Sequence, residues 1–223
     1  MNYQDSLDEI KNDFLNGDYE KIKKDVQSAI DTGINQKVIL EKGLMNSINI
    51  IGELFDKGER YVPDLLISGE VMQKGLEILK PYISAKDKNK MSGKVAIGTV
   101  EGDVHDIGKN LVISMLTGGG FEIIDLGVDV KPEKFLEVAK SEQPKIIAMS
   151  SLINITMESI TKTIELFKKV GLRNSYKFLI GGAVVDEKFA TECGADAYGD
   201  NAFQAVVQAK KLISELEEIK NDR

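Results

Sequence analysis

Apolar residues in the first third of the chain recur at intervals of three, four and seven. Leu44, Ile48, Ile51 and Phe55 form one series, and Leu65, Met72, Leu76 and Leu79 another, the spacing of one face of an α-helix. The pattern breaks at Asn16-Gly17, at Asp31-Thr32-Gly33 and around Gly58, and Pro63 suits the first turn of a following helix. From Tyr3 to about Ser84 this predicts a bundle of four helices with short connections. No heptad persists, which disfavours a sustained coiled coil. The stretch Ala85-Lys86-Asp87-Lys88-Asn89-Lys90 is charged, polar and unpatterned, a linker between a helical domain at 1–88 and a second domain at 91–223.

After Met91 the period changes. Short apolar runs at Val95 to Val100, Phe121 to Leu126, Ile146 to Ser150 and Phe178 to Ile180, with a short fifth near Ala195 to Tyr198, read as buried strands. Amphipathic segments fit between and after them: Gly108 to Leu116, Pro132 to Ser141, Met157 to Val170, Glu187 to Cys193 and Ala202 to Leu216. Alternating β and α elements imply right-handed crossovers and a parallel sheet covered on both faces. The expected fold is α/β, a four-helix bundle followed by a flavodoxin-like or Rossmann-like domain of five parallel strands. Ligands of such sheets bind beyond the carboxyl ends of the strands, which directs attention to the loops at 101–107, 127–131, 151–156 and 181–186.

Composition narrows the class. Of 223 residues 42% are hydrophobic and 29% charged, enough apolar material for a core. A net charge of -7 argues against nucleic acid or an anionic membrane as the main partner. The start lacks both a basic n-region and an apolar h-region, and no apolar run approaches the ~18 residues of a membrane span, so a cytoplasmic location is expected. Cys193 is the single cysteine and His105 the single histidine. An intrachain disulfide framework is excluded, and a conventional zinc site, which recruits several such ligands, is disfavoured.

The loop after the first strand holds Glu101, Gly102, Asp103, Val104, His105, Asp106, Ile107 and Gly108. A dinucleotide fingerprint would place glycines where this loop carries a histidine and two acids, and acidic side chains repel phosphate. No P-loop occurs, and a phosphoacceptor domain would need an aspartate where Ser150-Ser151 ends the third strand. A lone histidine is most often a polar loop residue. Asp103, two positions earlier, changes the weighing, because a ring nitrogen can donate to a carboxylate and leave the other for a metal. A tetrapyrrole-type ring leaves the protein one axial position to fill. In the third-strand loop Thr156 is placed to cap the helix that begins near Met157. Gly181-Gly182 can serve as a turn, or let a flat ligand lie against the backbone.

Together, Asp103-x-His105-x-x-Gly108, Ser150-x-Leu152 and Gly181-Gly182 resemble the cobalamin-binding signature D-x-H-x-x-G, S-x-L, G-G. The intervals match as well, with 41 residues between Gly108 and Ser150 and 28 between Leu152 and Gly181. In the helical half, Glu41-x-Gly43-Leu44-Met45 through Gly52-Glu53-Leu54-Phe55 to Tyr61-Val62-Pro63-Asp64-Leu65-Leu66 looks like the helical cap of methyl-carrying corrinoid proteins. The resemblance covers roughly residues 5 to 215. It is closest to the small corrinoid proteins of methanol, methylamine, glycine betaine and methoxyaromatic methyltransferase systems, and to the cobalamin module of methionine synthase. One departure is Asn154, where many relatives have threonine.

The resemblance implies that cobalamin binds with its own base displaced and His105 as the lower axial ligand to cobalt. Asp103 accepts the second ring N–H, and Ser150 extends that hydrogen-bond chain. The cofactor's tail lies beside Leu152, Gly181 and Gly182, with further contacts from Gly102, Val104, Asp106, Ile107, Gly108, Asn154 and Ala202. Glu41, Phe55, Val62, Leu65 and Leu66 belong to the cap that shields the methyl group. The implied function is a carrier, not a complete enzyme alone, that shuttles a methyl group through Co(I) and methyl-Co(III). Its implied partners are a substrate-specific methyltransferase, a methylcorrinoid:tetrahydrofolate or coenzyme M methyltransferase, and a reductive activation protein. Two alternatives share parts of the pattern. A cobalamin-dependent regulator would need a DNA-binding region for which the chain leaves no place, and the cobalamin subunit of a mutase does not explain the helical cap.

Overall fold

The computed structural model describes residues 3–82 and 93–221. The predicted linker at 85–90 and the boundary between 88 and 91 lie outside the described residues. A helical unit comes first in the chain and an α/β unit second.

The helical unit has four rods where the apolar series placed them: α1 (Tyr3–Asn16), α2 (Lys21–Asp31), a third rod α3, and α4 (Val62–Leu79) with a 3-10 turn at Lys80–Tyr82. The breaks fall at Gly17, Gly33 and Gly58, all with positive φ, the left-handed conformation that ends helices. Rod α3 is α-helical at Gln36–Val38, π-helical at Ile39–Met45 and α-helical again at Asn46–Asp56. The wider turn keeps Ile39, Gly43 and Leu44 all in the core. A period count cannot reveal it, because the inserted residue shifts the face without changing residue types.

One polar cluster is built into this core. Asp13 of α1 is 1% exposed, and the Lys21 ammonium of α2 lies 3.1 Å from its Oδ1 and 3.0 Å from Asp25 Oδ2. One cation between two carboxylates leaves an excess negative charge, and Asp13 Oδ2 has no hydrogen-bond partner. Burial, reinforced by Asp25, pushes the Asp13 carboxyl up to about 7 despite its bond to Lys21.

In the α/β unit, β1 (Gly93–Thr99), β2 (Phe121–Asp125), β3 (Ile146–Ser150), β4 (Lys177–Gly181) and β5 (Ala197–Gly199) form one sheet in the order β2-β1-β3-β4-β5. Every pairing is parallel. The helices are α5 (Ile107–Gly118), α6 (Pro132–Glu142), α7 (Met157–Lys169), α8 (Glu187–Cys193) and α9 (Ala202–Asn221). Central strands covered on both faces explain why β1, β3 and β4 read as continuous apolar runs. One side of the sheet packs Phe135, Phe167 and Phe178 into a cluster. Phe167 meets Phe178 edge-on at 5.1 Å, a favoured aromatic geometry. Cys193 is buried at the end of α8 with its Sγ on the Ala190 carbonyl at 3.4 Å, and burial raises its thiol pKa.

Register aligns the strand ends. Thr99 pairs with Ser150, Ser150 with Gly181, and Gly181 with Gly199, a row across the carboxyl edge of the sheet. Strand order reverses between β1 and β3, so the loops after these two strands flank the switch point where such sheets take ligands. Among the described residues no helix is long and apolar enough to cross a membrane.

Candidate functional site

The β1–α5 loop turns at Gly102, whose φ is +85°. Of residues 102–108 only Asp103 is buried, with 0% exposure; its neighbours Val104, His105, Asp106, Ile107 and Gly108 lie at the surface. A buried carboxylate survives only if its oxygens are satisfied, and Asp103 meets four donated hydrogen bonds. Oδ1 accepts from His105 N–H at 3.0 Å and pairs with His105 Nδ1 at 2.7 Å. Oδ2 accepts from the Leu152 backbone N–H at 2.7 Å and the Thr156 hydroxyl at 3.2 Å. Burial alone would raise this carboxyl. The donors, Leu152 N–H first, outweigh it and hold Asp103 below its usual value.

An ionised Asp103 places the imidazole proton on Nδ1 and leaves the lone pair on Nε2. The His105 side chain is 50% exposed, and its carbonyl accepts from Thr99 Oγ1 at 2.8 Å. The ring is thus held from below and free above. The two loops joined at Asp103 carry an exposed apolar rim, Val104 and Ile107 in one and Leu152 and Ile155 in the other, the last 82% exposed. Apolar side chains in water on an otherwise charged surface mark a binding face.

Structure revises two of the sequence-based roles. Ser150 does not extend the chain from Asp103: the hydroxyl that reaches the carboxylate is that of Thr156, and Ser151 Oγ stands 2.8 Å behind it. Ser150 ends β3, where its side chain belongs to the strand and its carbonyl accepts from Val100 N–H. Thr156 in turn makes no cap bond to α7. It closes a 3-10 turn, Asn154–Thr156, that aims its hydroxyl at Asp103 and at the Ile153 carbonyl. A run of hydroxyl residues in a loop signalled that one of them could act, but only the 3-10 turn shows which one.

The glycines of the β4 loop also have a reason within the chain. A Cβ on Gly181 would lie 2.9 Å from the Gly199 carbonyl oxygen, and one on Gly182, whose φ is +126°, would run into the Ser151 backbone. They let strand ends approach, which is a different purpose from leaving room for a ligand. Gly108 is the opposite case: no atom lies within 4 Å of where its Cβ would be.

The other expected contacts are distributed as follows. Asn154 is exposed beside Ile155, and Ala202 is buried at the start of α9. In the helical unit Glu41 is exposed in the π-helical turn, 3.5 Å from Lys37, and Phe55 is half-buried. Val62 and Leu66 are exposed at the start of α4, whereas Leu65 is wholly buried in the bundle core. Residues that the sequence did not single out support the loop. Lys109, 2% exposed, reaches Asp125 at 2.7 Å, and Asp129 bonds to the backbone beside Asp103.

Among the described residues no three His, Cys, Asp or Glu side chains are grouped to hold a metal ion. With Nδ1 on Asp103, His105 keeps one ring nitrogen to offer, which fits a metal that arrives already coordinated in a ring. A flat ring suits the apolar rim and the open surface at Gly108. Comparison with known proteins agrees. Two models described as B12 binding domains match, one at residues 93–207 and one at 6–80. A corrinoid protein of Desulfitobacterium hafniense is 38% identical over 209 residues, 93% of this chain and 97% of the relative. Trimethylamine corrinoid protein 1 of Methanosarcina acetivorans is 38% identical over 197 residues, 88% of this chain and 91% of that one. The methanol:cobalamin methyltransferase complex of Methanosarcina barkeri contains a chain that superposes with a TM-score of 0.83 at 28% identity, covering 94% of this chain and 80% of that one. With both domains matched and the identity spread over nearly all of its length, the chain belongs to the corrinoid protein family and binds cobalamin.

Proposed function

We propose that this chain is the methyl-carrying subunit of a corrinoid-dependent methyltransferase system. It receives a methyl group from a substrate-specific methyltransferase and delivers it to a second one that serves tetrahydrofolate or coenzyme M. A reductive activation protein restores it after oxidation. When bound, the corrinoid supplies a cobalt that takes and gives up the methyl group as it alternates between Co(I) and Co(III). The observation that carries the proposal is the pairing of His105 Nδ1 with buried Asp103 at 2.7 Å, which leaves Nε2 free at the switch point of the sheet.

In this reading His105 would hold the cobalt through Nε2. Asp103 orients the ring and retains the proton at Nδ1, whether or not Nε2 is engaged. Leu152 N–H and the Thr156 hydroxyl keep Asp103 charged in its buried position. Val104, Ile107, Leu152 and Ile155 bury the apolar flank of the cofactor and exclude water beneath it. In the helical unit Val62 and Leu66 are exposed apolar residues, while Leu65 belongs to the bundle core.

The test uses the single histidine. Protein loaded with cobalamin and reduced to Co(II) is expected to show nitrogen splitting in its electron paramagnetic resonance spectrum, and labelling with 15N-histidine converts the triplet pattern to a doublet. His105→Ala loses the splitting. A pattern that ignores the isotope label in wild type excludes His105 as ligand.

A further inference from the structure

Among the described residues two outside glycine have positive φ, and one of them, Asp129 at +53°, lies in the loop after β2 beside the His105 loop. Left-handed backbone is strained for residues with a side chain, least so for Asp and Asn, and such strain persists where surrounding contacts fix it. Here the contacts are specific. Asp129 Oδ1 accepts from Gly102 N–H at 2.7 Å, and Asp129 N–H donates to the Asp103 carbonyl at 2.9 Å. One residue thus holds the backbone on both sides of the Asp103 Cα. The neighbouring bonds Thr99 N–H to the Gly127 carbonyl and Val130 N–H to the Thr99 carbonyl, both 3.0 Å, extend the β1–β2 ladder up to this point. They fix where Asp129 stands; within the turn Asp103 N–H donates to the Val100 carbonyl at 3.1 Å, and Asp129 supplies the partners of Gly102 N–H and the Asp103 carbonyl.

We propose that Asp129 is a positioning residue for the axial ligand: its bracket on Gly102 and Asp103 sets the direction of the Asp103 side chain, and through it the tautomer and orientation of His105. The inference rests on the assignment of His105 as the cobalt ligand. Without the bracket, Gly102, a glycine at φ +85°, loses its N–H acceptor, and the turn is held only by the bond from Asp103 N–H to the Val100 carbonyl. Asp103 then loses the register in which one oxygen meets Nδ1 and the other meets Leu152 and Thr156. Outer partners of metal-ligating histidines commonly affect affinity 10- to 100-fold, and Asp129 is one step further out.

Three variants separate the contributions. Asp129→Gly removes the acceptor and suits the positive φ, Asp129→Asn keeps an acceptor oxygen, and Asp129→Ala removes the acceptor and keeps the strain. Because the chain has one histidine, 15N-histidine labelling of the apoprotein gives one imidazole, whose nitrogen shifts report the tautomer without any cofactor. The expected result is an Nδ1–H pattern in wild type and Asp129→Asn, and a mixed or shifted pattern in Asp129→Gly and Asp129→Ala. Cobalamin affinity is expected to fall by about 10-fold in the latter two. A wild-type imidazole pattern in Asp129→Gly overturns the proposal, as does an equal loss in Asp129→Asn and Asp129→Gly. Failure of the ligand assignment looks different: the Co(II) spectrum of wild type would lack any splitting that follows the 15N-histidine label, while the imidazole comparison in apoprotein still reads out the bracket.

Discussion

Asp103 illustrates how a single buried carboxylate organises a site. Its two oxygens divide the work, one facing His105 and the other facing Leu152 and Thr156, so substitutions on either side have separable effects. Asp103→Asn keeps the size but can no longer accept on both sides. The variant is expected to bind cobalamin still, with a shifted Co(II)/Co(I) potential, and an unchanged redox titration and methyl-transfer rate would refute the role of the charge. Thr156→Val keeps the volume and removes the hydroxyl that Asp103 and Ser151 share. Leaving buried acceptors short of a donor costs roughly 1–3 kcal/mol, measurable as a lower midpoint in denaturant unfolding of the apoprotein. The same substitution at Ser150 is expected to leave the Asp103 cluster undisturbed, because the Ser150 hydroxyl takes no part in it.

At the scale of elements, strand ends and helix starts decide which glycines tolerate a side chain. Gly182→Ala places a methyl group against the Ser151 backbone at a φ of +126°, so marked destabilisation of the apoprotein is expected. Gly108→Ala meets no protein atom and gains helix propensity at the start of α5, up to about 1 kcal/mol. Its expected signature is therefore an apoprotein at least as stable as wild type that binds cobalamin more weakly. Thermal unfolding paired with a cobalamin titration checks both variants, and equal losses of stability would contradict the distinction. These elements also show what could be read beforehand. Strand and helix spans were legible because parallel strands buried on both faces leave continuous apolar runs, and helices between them keep one apolar face. His105 and Asp103 were legible from their spacing. Thr156 was not, since its role depends on a 3-10 turn that folds the loop back over five residues. Asp129 was not, since positive φ at a non-glycine residue leaves no trace in composition. The π-helical turn of α3 escaped for the same reason: it changes geometry without changing residue types.

Taken over the whole molecule, each unit carries its own core, and the helical one has a built-in response to pH. The folded Asp13 carboxyl lies at about 7, against 3.8 for its ordinary value. Between those values the folded unit keeps a proton that the unfolded chain has lost. The stabilising contribution is complete below about pH 4 and is lost as pH rises to about 7. Denaturant unfolding of the apoprotein is expected to show a weaker helical unit at pH 8 than at pH 5. Asp13→Asn flattens that dependence and raises stability at pH 8 by roughly 1–3 kcal/mol, the cost of a buried unsatisfied group. A pH dependence that survives in Asp13→Asn would place its origin elsewhere.

The burial of Cys193 has a bearing on chemical self-protection. A protein that handles an electrophilic methyl group, as proposed for this chain, risks alkylating its own thiol. Nucleophilic attack requires the thiolate, and this chain keeps its one thiol protonated beneath α8 with its sulfur turned to a carbonyl. Folded apoprotein is therefore expected to resist methylation of Cys193 by iodomethane at neutral pH, and to be methylated at that residue only after denaturation. By this design the Cys193 thiol offers no thiolate to an electrophilic methyl group.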